Sequence, residues 1–241
     1  MDALRWSDYA NIVVLTGAGI SAGSGLRTYR GPDGVWDEYD VADIATGAAL
    51  RRDPRRVWRF IDAMRRQVAA VKPNAAHRAL SRLESRLAPS QSLTILTQNV
   101  DGLHQAAGNR DVVELHGTIA RSRCMQPGCR FSRDEDFAKL DSECPRCPFC
   151  GSWLRADVVL FDELLPDEAV RRAGCALQDC DLFIAIGTSG VVYPAADYVR
   201  SARVAGARTL LVNLEEHDEP NPCFQELILG RAEEVLDALV G

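Results

Sequence analysis

Asn11-Ile12-Val13-Val14-Leu15-Thr16 runs directly into Gly17-Ala18-Gly19-Ile20-Ser21-Ala22-Gly23, and the reading of this junction decides the fold. An unbroken β-branched and apolar run reads as a parallel strand buried on both faces. The glycines after it read as a tight turn opening into a helix, where free N–H groups can meet a pyrophosphate. Close packing alone would also account for such a turn. An ordinary dinucleotide fold places an acid about 20 residues further on, at the end of a second strand. Asp37, Glu38 and Asp40 fall in that range, but what precedes them is Gly31-Pro32-Asp33-Gly34 and not a strand.

The same design recurs outward from this junction. Leu93, Ile95 and Leu96 lead into Thr97-Gln98-Asn99-Val100-Asp101-Gly102-Leu103-His104, and Val112-Val113-Glu114-Leu115 delivers His116 and Gly117. The run from Asp181 ends in Gly187-Thr188-Ser189, the run from Thr209 ends in Asn213-Leu214-Glu215, and the stretch from Leu154 to Glu163 has strand character too. Apolar runs with polar ends, separated by helical segments, predict an α/β fold with a doubly wound parallel, Rossmann-like sheet whose polar ends share one rim. Gln98, Asn99 and Asp101 are then placed to recognise a polar ligand, and His116 faces it as a base. Arg27-Thr28-Tyr29-Arg30 through Trp36 reads as a functional loop, with arginines for phosphate and aromatics to cover a ligand. Val57, Phe60, Ile61, Met64, Val68 and Val71 follow helical spacing from Pro54 onward, with Ile61 and Met64 on one face. His77, near the start of the next helix, reads as structural.

From Arg121 to Leu154 hydrophobic periodicity gives way to Cys124, Cys129, Cys144, Cys147 and Cys150. Two close-spaced groups of thiols predict a four-thiolate structural zinc site, because a small segment without a core needs a staple. Cys124, Cys129, Cys147 and Cys150 are the chosen ligands, with Cys144 as an alternative, and no open position is implied that would give zinc a catalytic role. Cys175, Cys180 and Cys223 lack metal spacing. The expected organisation is a Rossmann-like domain over 1–120 and 151–241, with a helical insertion around 40–72, and a zinc-binding small domain over 121–150. A net charge of −6 argues against a broad grip on nucleic acid and suits a basic partner. No stretch approaches the ~20 apolar residues of a membrane span, and nothing at the N-terminus looks like a signal peptide, so a cytoplasmic location is expected.

Gly-Ala-Gly-x-Ser-x-x-Ser-Gly at 17–25, Thr-Gln-Asn-Val-Asp-Gly-Leu-His at 97–104, Leu-His-Gly at 115–117, the cysteine pairs, Gly-Thr-Ser at 187–189 and Val-Asn-Leu-Glu at 212–215 occur in the order found in sirtuins. The chain resembles that family over nearly its whole length, and Arg27-Thr28-Tyr29-Arg30-Gly31 most resembles its class III branch. The resemblance implies an NAD-dependent protein-lysine deacylase acting on acyl-lysine proteins or peptides. In that family the acyl oxygen attacks the ribose carbon bearing nicotinamide, a histidine deprotonates a ribose hydroxyl, and the acyl group leaves on ADP-ribose. By position the base is His116. Asn99 would orient the ribose, Val100 and Asp101 would hold the nicotinamide amide, and Gln98 completes the pocket. Gly17, Ala18, Gly19, Tyr29, Arg30 and Trp36 would line the phosphate and nicotinamide side, and Gly187, Thr188, Ser189, Asn213, Glu215 and Ala232 the adenosine half. Adenosine recognition by later strands would explain the missing acid after the first turn.

Two departures from the family pattern are informative. Phe161-Asp162-Glu163 stands where sirtuins have Phe-Gly-Glu, and Leu154-Arg155-Ala156 where they have Leu-Arg-Pro; this segment, with Val158 and Phe161, is expected to clamp the substrate backbone as an added strand. Aspartate tolerates unusual backbone angles, so the clamp is expected to survive with altered peptide preference. Ile61 and Met64 occupy the positions of the tyrosine and arginine that bind succinyl or malonyl carboxylates in class III, and Arg65 should point about 100° away. Acetyl or longer apolar acyl groups are therefore expected to be favoured over dicarboxylic ones. Mono-ADP-ribosyl transfer from the same NAD site, or NAD binding without turnover, are the alternative readings.

Overall fold

The computed structural model describes residues 4–31, 33–137, 143–217 and 219–241. Pro32 of the expected loop, and residues 138–142 of the expected zinc segment, lie outside them. Nine strands are described: β1 (Asn11–Thr16), β2 (Ser92–Thr97), β3 (Val112–Glu114), β4 (Gly117–Cys124), β5 (Ser132–Asp134), β6 (Leu154–Val158), β7 (Leu182–Ile186), β8 (Arg208–Asn213) and β9 (Glu226–Leu229). The described α-helices are α1 (Gly19–Ala22), α2 (Val35–Glu38), α3 (Val41–Ile44), α4 (Gly47–Arg52), α5 (Pro54–Ala69), α6 (Ala75–Arg86), α7 (Leu103–Ala106), α8 (Asp167–Gln178), α9 (Tyr198–Val204) and α10 (Ala232–Val240).

Six strands form one parallel sheet in the order β3-β2-β1-β7-β8-β9. Successive residues of β1 point to opposite faces, which is why it carries no polar alternation. Ile12 and Val14 join Leu80, Leu83 and Leu236 from α6 and α10 on one face. Val13 and Leu15 join Ala169, Ala173 and Val199 from α8 and α9 on the other. Each of these strand side chains is at most 4% exposed, and burying one is worth about 1.5–3 kcal/mol. The order reverses direction between β1 and β7, so the crevice beyond their carboxyl ends is the switch point where such sheets bind ligands.

The segment from Leu154 does not return to this sheet. It pairs antiparallel with β4 in a separate sheet of order β5-β4-β6, in a register that sets Gly117 opposite Val158. This second sheet thus extends beyond 121–150 on both sides. Apolar character along 154–158 reports burial but not partner, and the partner is chosen by non-local pairing. α5 covers this small sheet, not the large one, burying Val57 and Ile61 against Ile119, Ala156, Val158 and Leu160. Asp53 starts α5 by accepting from Arg56 N–H, and Pro54 takes its first position, where no N–H is needed. Asn74 caps α6, bonded to Ala76 N–H and His77 N–H, and His77 is fully buried beside it. No described helix is long and apolar enough to cross a membrane.

Candidate active site

At the switch point the two turns touch. Gly17 N–H donates to Ile186 C=O and Gly19 N–H to Gly187 C=O, both at 3.0 Å. A Cβ built on Gly17 would lie 2.6 Å from the Gly187 oxygen, and one on Gly19 would lie 2.6 Å from the Gly187 Cα. These glycines are therefore required by the approach of two backbones, before any ligand is considered.

Around this contact opens a cleft of about 1410 Å³. It gathers Gly17, Ala18, Gly19, Tyr29, Arg30 and Trp36 from the first turn and the loop after it, and Gln98, Asn99, Val100 and His116 from the ends of β2 and β3. Gly187, Thr188, Ser189, Asn213, Glu215 and Ala232 line its far side, and Ile61, Met64, Val158 and Phe161 its apolar end. Asp101 faces a smaller inner cavity of about 50 Å³, shared with Ala18, Ser21, Tyr29, Met64, Asn99 and Val100.

Asn99 is buried, and its side-chain NH2 donates to Gly17 C=O at 3.0 Å and to Ser21 Oγ at 3.2 Å. Toward a ligand it therefore offers its amide oxygen, an acceptor. Ser21 Oγ in turn donates to Asp101 at 2.7 Å, and the other Asp101 oxygen accepts from Leu103 N–H at 2.9 Å. Burial raises the Asp101 carboxyl from its ordinary value, and these two bonds oppose the rise. Beneath Asn99, Thr97 Oγ1 accepts from both Asn99 N–H and Thr16 Oγ1, and Thr16 Oγ1 also meets His104 Nε2 at 3.0 Å. Burial pushes His104 down to about 3, so it is neutral and serves as a support.

His116 holds its Nδ1 2.9 Å from Gln98 C=O. A carbonyl only accepts, so the proton sits on Nδ1 and Nε2 is the free basic nitrogen. Burial lowers the His116 pKa, partly offset by the bond to Gln98. The His116 carbonyl also accepts Val159 N–H at 2.9 Å, which ties the base to the segment following β6. Gly117 permits this turn: its φ is +74°, and an added Cβ would meet Asp157 O at 2.1 Å.

At the apolar end, Trp36 stacks on Tyr29 at 5.2 Å and meets the edges or faces of Phe60 and Phe161 at 6.4 and 6.1 Å. Trp36 thus joins the loop, α5 and the segment after β6 in one aromatic wall. Arg65 is fully buried on the side away from the cleft, where Nε donates to Ile119 C=O, Nη2 donates to Ser122 Oγ, and the guanidinium lies 4.8 Å from the Trp58 ring.

Sulfur atoms of Cys124, Cys129, Cys147 and Cys150 all lie within 4.8 Å of one another. Cys124 and Cys150 approach to 3.4 Å, and Cys129 and Cys147 to 3.8 Å. Zinc bound at ~2.3 Å to four sulfurs needs edges of about 3.8 Å, so this donor set fits. Cys144 stands outside it, buried, bonded to Leu154 C=O at 3.3 Å and pushed up to about 11 chiefly by burial.

The roles of two residues escaped the sequence reading. Ser21 lies inside the Gly-x-Gly-x-Ser pattern, whose spacing alone would have flagged it. His217 was invisible: its Nε2 sits 2.8 Å from Thr188 C=O and its ring packs against Gly190, a contact made across the cleft rim.

A six-stranded parallel sheet with a glycine-lined cleft at its switch point, a buried amide–hydroxyl–carboxyl chain, a histidine whose pKa is lowered and a four-cysteine cluster that fits a metal define a nucleotide-binding α/β protein with a small cysteine-rich insertion. Residues 17–194 match the model of the Sir2 family. NAD-dependent protein deacylase 2 of Pyrobaculum aerophilum is 45% identical over 228 residues, covering 95% of this chain and 89% of that protein. A Sir2 homologue solved as its NAD complex superposes with a TM-score of 0.88 at 36% identity, covering 98% of this chain and 90% of the other. Sir2Af2, solved bound to a myristoylated histone peptide, gives 0.76 at 35% identity, with 98% and 91% covered. The chain belongs to the Sir2 family; it is a sirtuin.

Proposed function

We propose that this sirtuin uses NAD to remove acetyl and longer apolar acyl groups from protein lysines, in preference to succinyl or malonyl groups. The observation that carries the acyl preference is the wall from α5. Phe60, Ile61 and Met64 face the cleft there, while Arg65 is held by Ile119 and Ser122 behind it. A dicarboxylic acyl group would bury its free carboxylate against that wall, where the Ile61 and Met64 positions of α5 offer it no cation, which is costly.

NAD, when bound, supplies an ADP-ribosyl group that can part from nicotinamide and carry the acyl group away. The Asn99 amide oxygen accepts a hydrogen bond from a ribose hydroxyl, because its NH2 is already committed. His116 Nε2 takes a hydroxyl proton, and Gln98 C=O stabilises the imidazolium that results by accepting from Nδ1–H. The inner cavity beside Asp101 accommodates a flat amide with Ser21 and Asp101 at its polar edge. Cys124, Cys129, Cys147 and Cys150 would hold zinc as thiolates in a structural role, since all four positions would be filled by cysteine.

The test is nicotinamide release and acyl-ADP-ribose formation on one peptide bearing acetyl-, butyryl- or succinyl-lysine. The expected result is kcat/KM at least about tenfold higher for acetyl than for succinyl, and no turnover in His116→Ala. A succinyl preference would refute the acyl reading; label from NAD left on protein, with no free acyl-ADP-ribose, would refute deacylation.

A further inference from the structure

Asp162 has a left-handed backbone, with φ of +72°, a conformation that costs any residue with a Cβ. Among the described residues only Asp33 shares this among non-glycines. What the side chain does there explains its presence. One carboxylate oxygen accepts from Gly47 N–H at 2.7 Å and the other from Ala48 N–H at 3.3 Å, the two N–H groups that open α4. Thr46 Oγ1 accepts from Ala49 N–H at 2.9 Å, so the start of α4 is satisfied jointly from two distant parts of the chain.

The backbone beside Asp162 reinforces the same junction. Phe161 N–H donates to Ala45 C=O at 2.8 Å, and Phe161 C=O accepts from Gly47 N–H at 3.2 Å. On the other flank Glu163, half-buried, is held in a bidentate pair by the buried Arg155 and accepts from Leu160 N–H at 2.9 Å. The Val159–Glu163 segment is thus braced on one edge by 45–48 and at its base by His116 C=O and Arg155. Phe161 remains 39% exposed, at the cleft.

We infer that Asp162 is a positioning residue for the acyl-lysine substrate: by bonding Gly47 and Ala48 it presets the Val159–Glu163 segment before a peptide arrives. This rests on the reading of Val158 and Phe161 as the peptide-binding edge. A glycine at 162 keeps the left-handed backbone open but releases the segment from α4, so the ordering that Asp162 provides in advance falls on peptide binding instead. Asp162 makes no hydrogen bond to the first glycine turn or to His116, so its loss is expected to act on the peptide more than on NAD binding or the chemical step.

The test compares Asp162→Gly, Asp162→Asn and Phe161→Ala in the full chain, measuring KM for an acetyl-lysine peptide, KM for NAD, kcat and Tm. Asp162→Gly is expected to raise peptide KM about fivefold with kcat and NAD KM within about twofold of the parent, and Asp162→Asn, which keeps an acceptor, to restore most of the loss. Peptide KM unchanged in Asp162→Gly but raised in Phe161→Ala would overturn the role of Asp162 alone. Peptide KM unchanged in both would overturn the peptide-edge reading beneath it. A fall in Tm accompanied by equal changes in all three kinetic parameters would mark Asp162 as merely structural, and would also overturn the inference.

Discussion

The state of His116 is set by two neighbours of opposite effect. Burial favours the neutral ring, and the Gln98 carbonyl favours the protonated one, with burial dominating. The sign follows directly: a base whose pKa is lowered stays deprotonated to lower pH, so the acid limb of kcat/KM for the peptide should have its midpoint below ~6.5. A limb centred above that value would contradict this assignment. At this scale the sequence was highly informative, because Asn99, Asp101 and His116 sit at strand ends where a side chain's surroundings follow from the topology. It was less informative about Ser21 and His217. Ser21 acts through the chain from Asn99 to Asp101, so the glycine-turn spacing marks its position but not its partners, and His217 acts through a carbonyl 29 residues away, which no local pattern marks.

Among the elements, α5 has two working faces. Phe60, Ile61 and Met64 line the cleft, where the acyl wall is proposed, while Trp58 packs with Cys124, Cys144, Cys147 and Leu154 of the cysteine module. The first face gives a gain-of-function expectation: Ile61→Tyr with Met64→Arg should raise kcat/KM on a succinyl-lysine peptide by roughly tenfold or more, by supplying charge-assisted partners. An unchanged acetyl-to-succinyl ratio in that double variant would remove α5 from acyl selection. The second face links the cysteine module to that wall. Loss of zinc, by chelation or in Cys147→Ala, should lower Tm by more than about 10 °C and flatten the acyl preference, because Trp58 loses its support. Metal analysis giving other than one zinc per chain would count against the tetrad. Helical periodicity showed where Ile61 and Met64 point, but not that Arg65 would be wholly buried, since its acceptors on Ile119 and Ser122 come from β4. The same limit explains β6: its residues are apolar enough for either sheet, and only pairing with Gly117–Cys124 decides. β9 was missed because Glu226–Leu229 is short and half-buried, with little pattern to read.

For the whole molecule, the parallel sheet was legible because β1, β2, β7 and β8 are buried on both faces and end in recognisable turns, whereas the extent of the second sheet was not. The cleft lies between these two bodies, with nucleotide-type turns on one side and α5 with the 159–163 segment on the other. The abutment of Gly17 and Gly19 on Gly187 bears on how such a protein could be altered. There is no room for a methyl group at those positions even with the cleft empty, so their glycines are demanded by folding, and substituting one would need a concerted shift in the other turn. Redesign toward a different dinucleotide meets less steric constraint at the end of β8, where Leu214, Glu215 and Glu216 are exposed and line the cleft, so that a change at one need not displace a neighbouring turn.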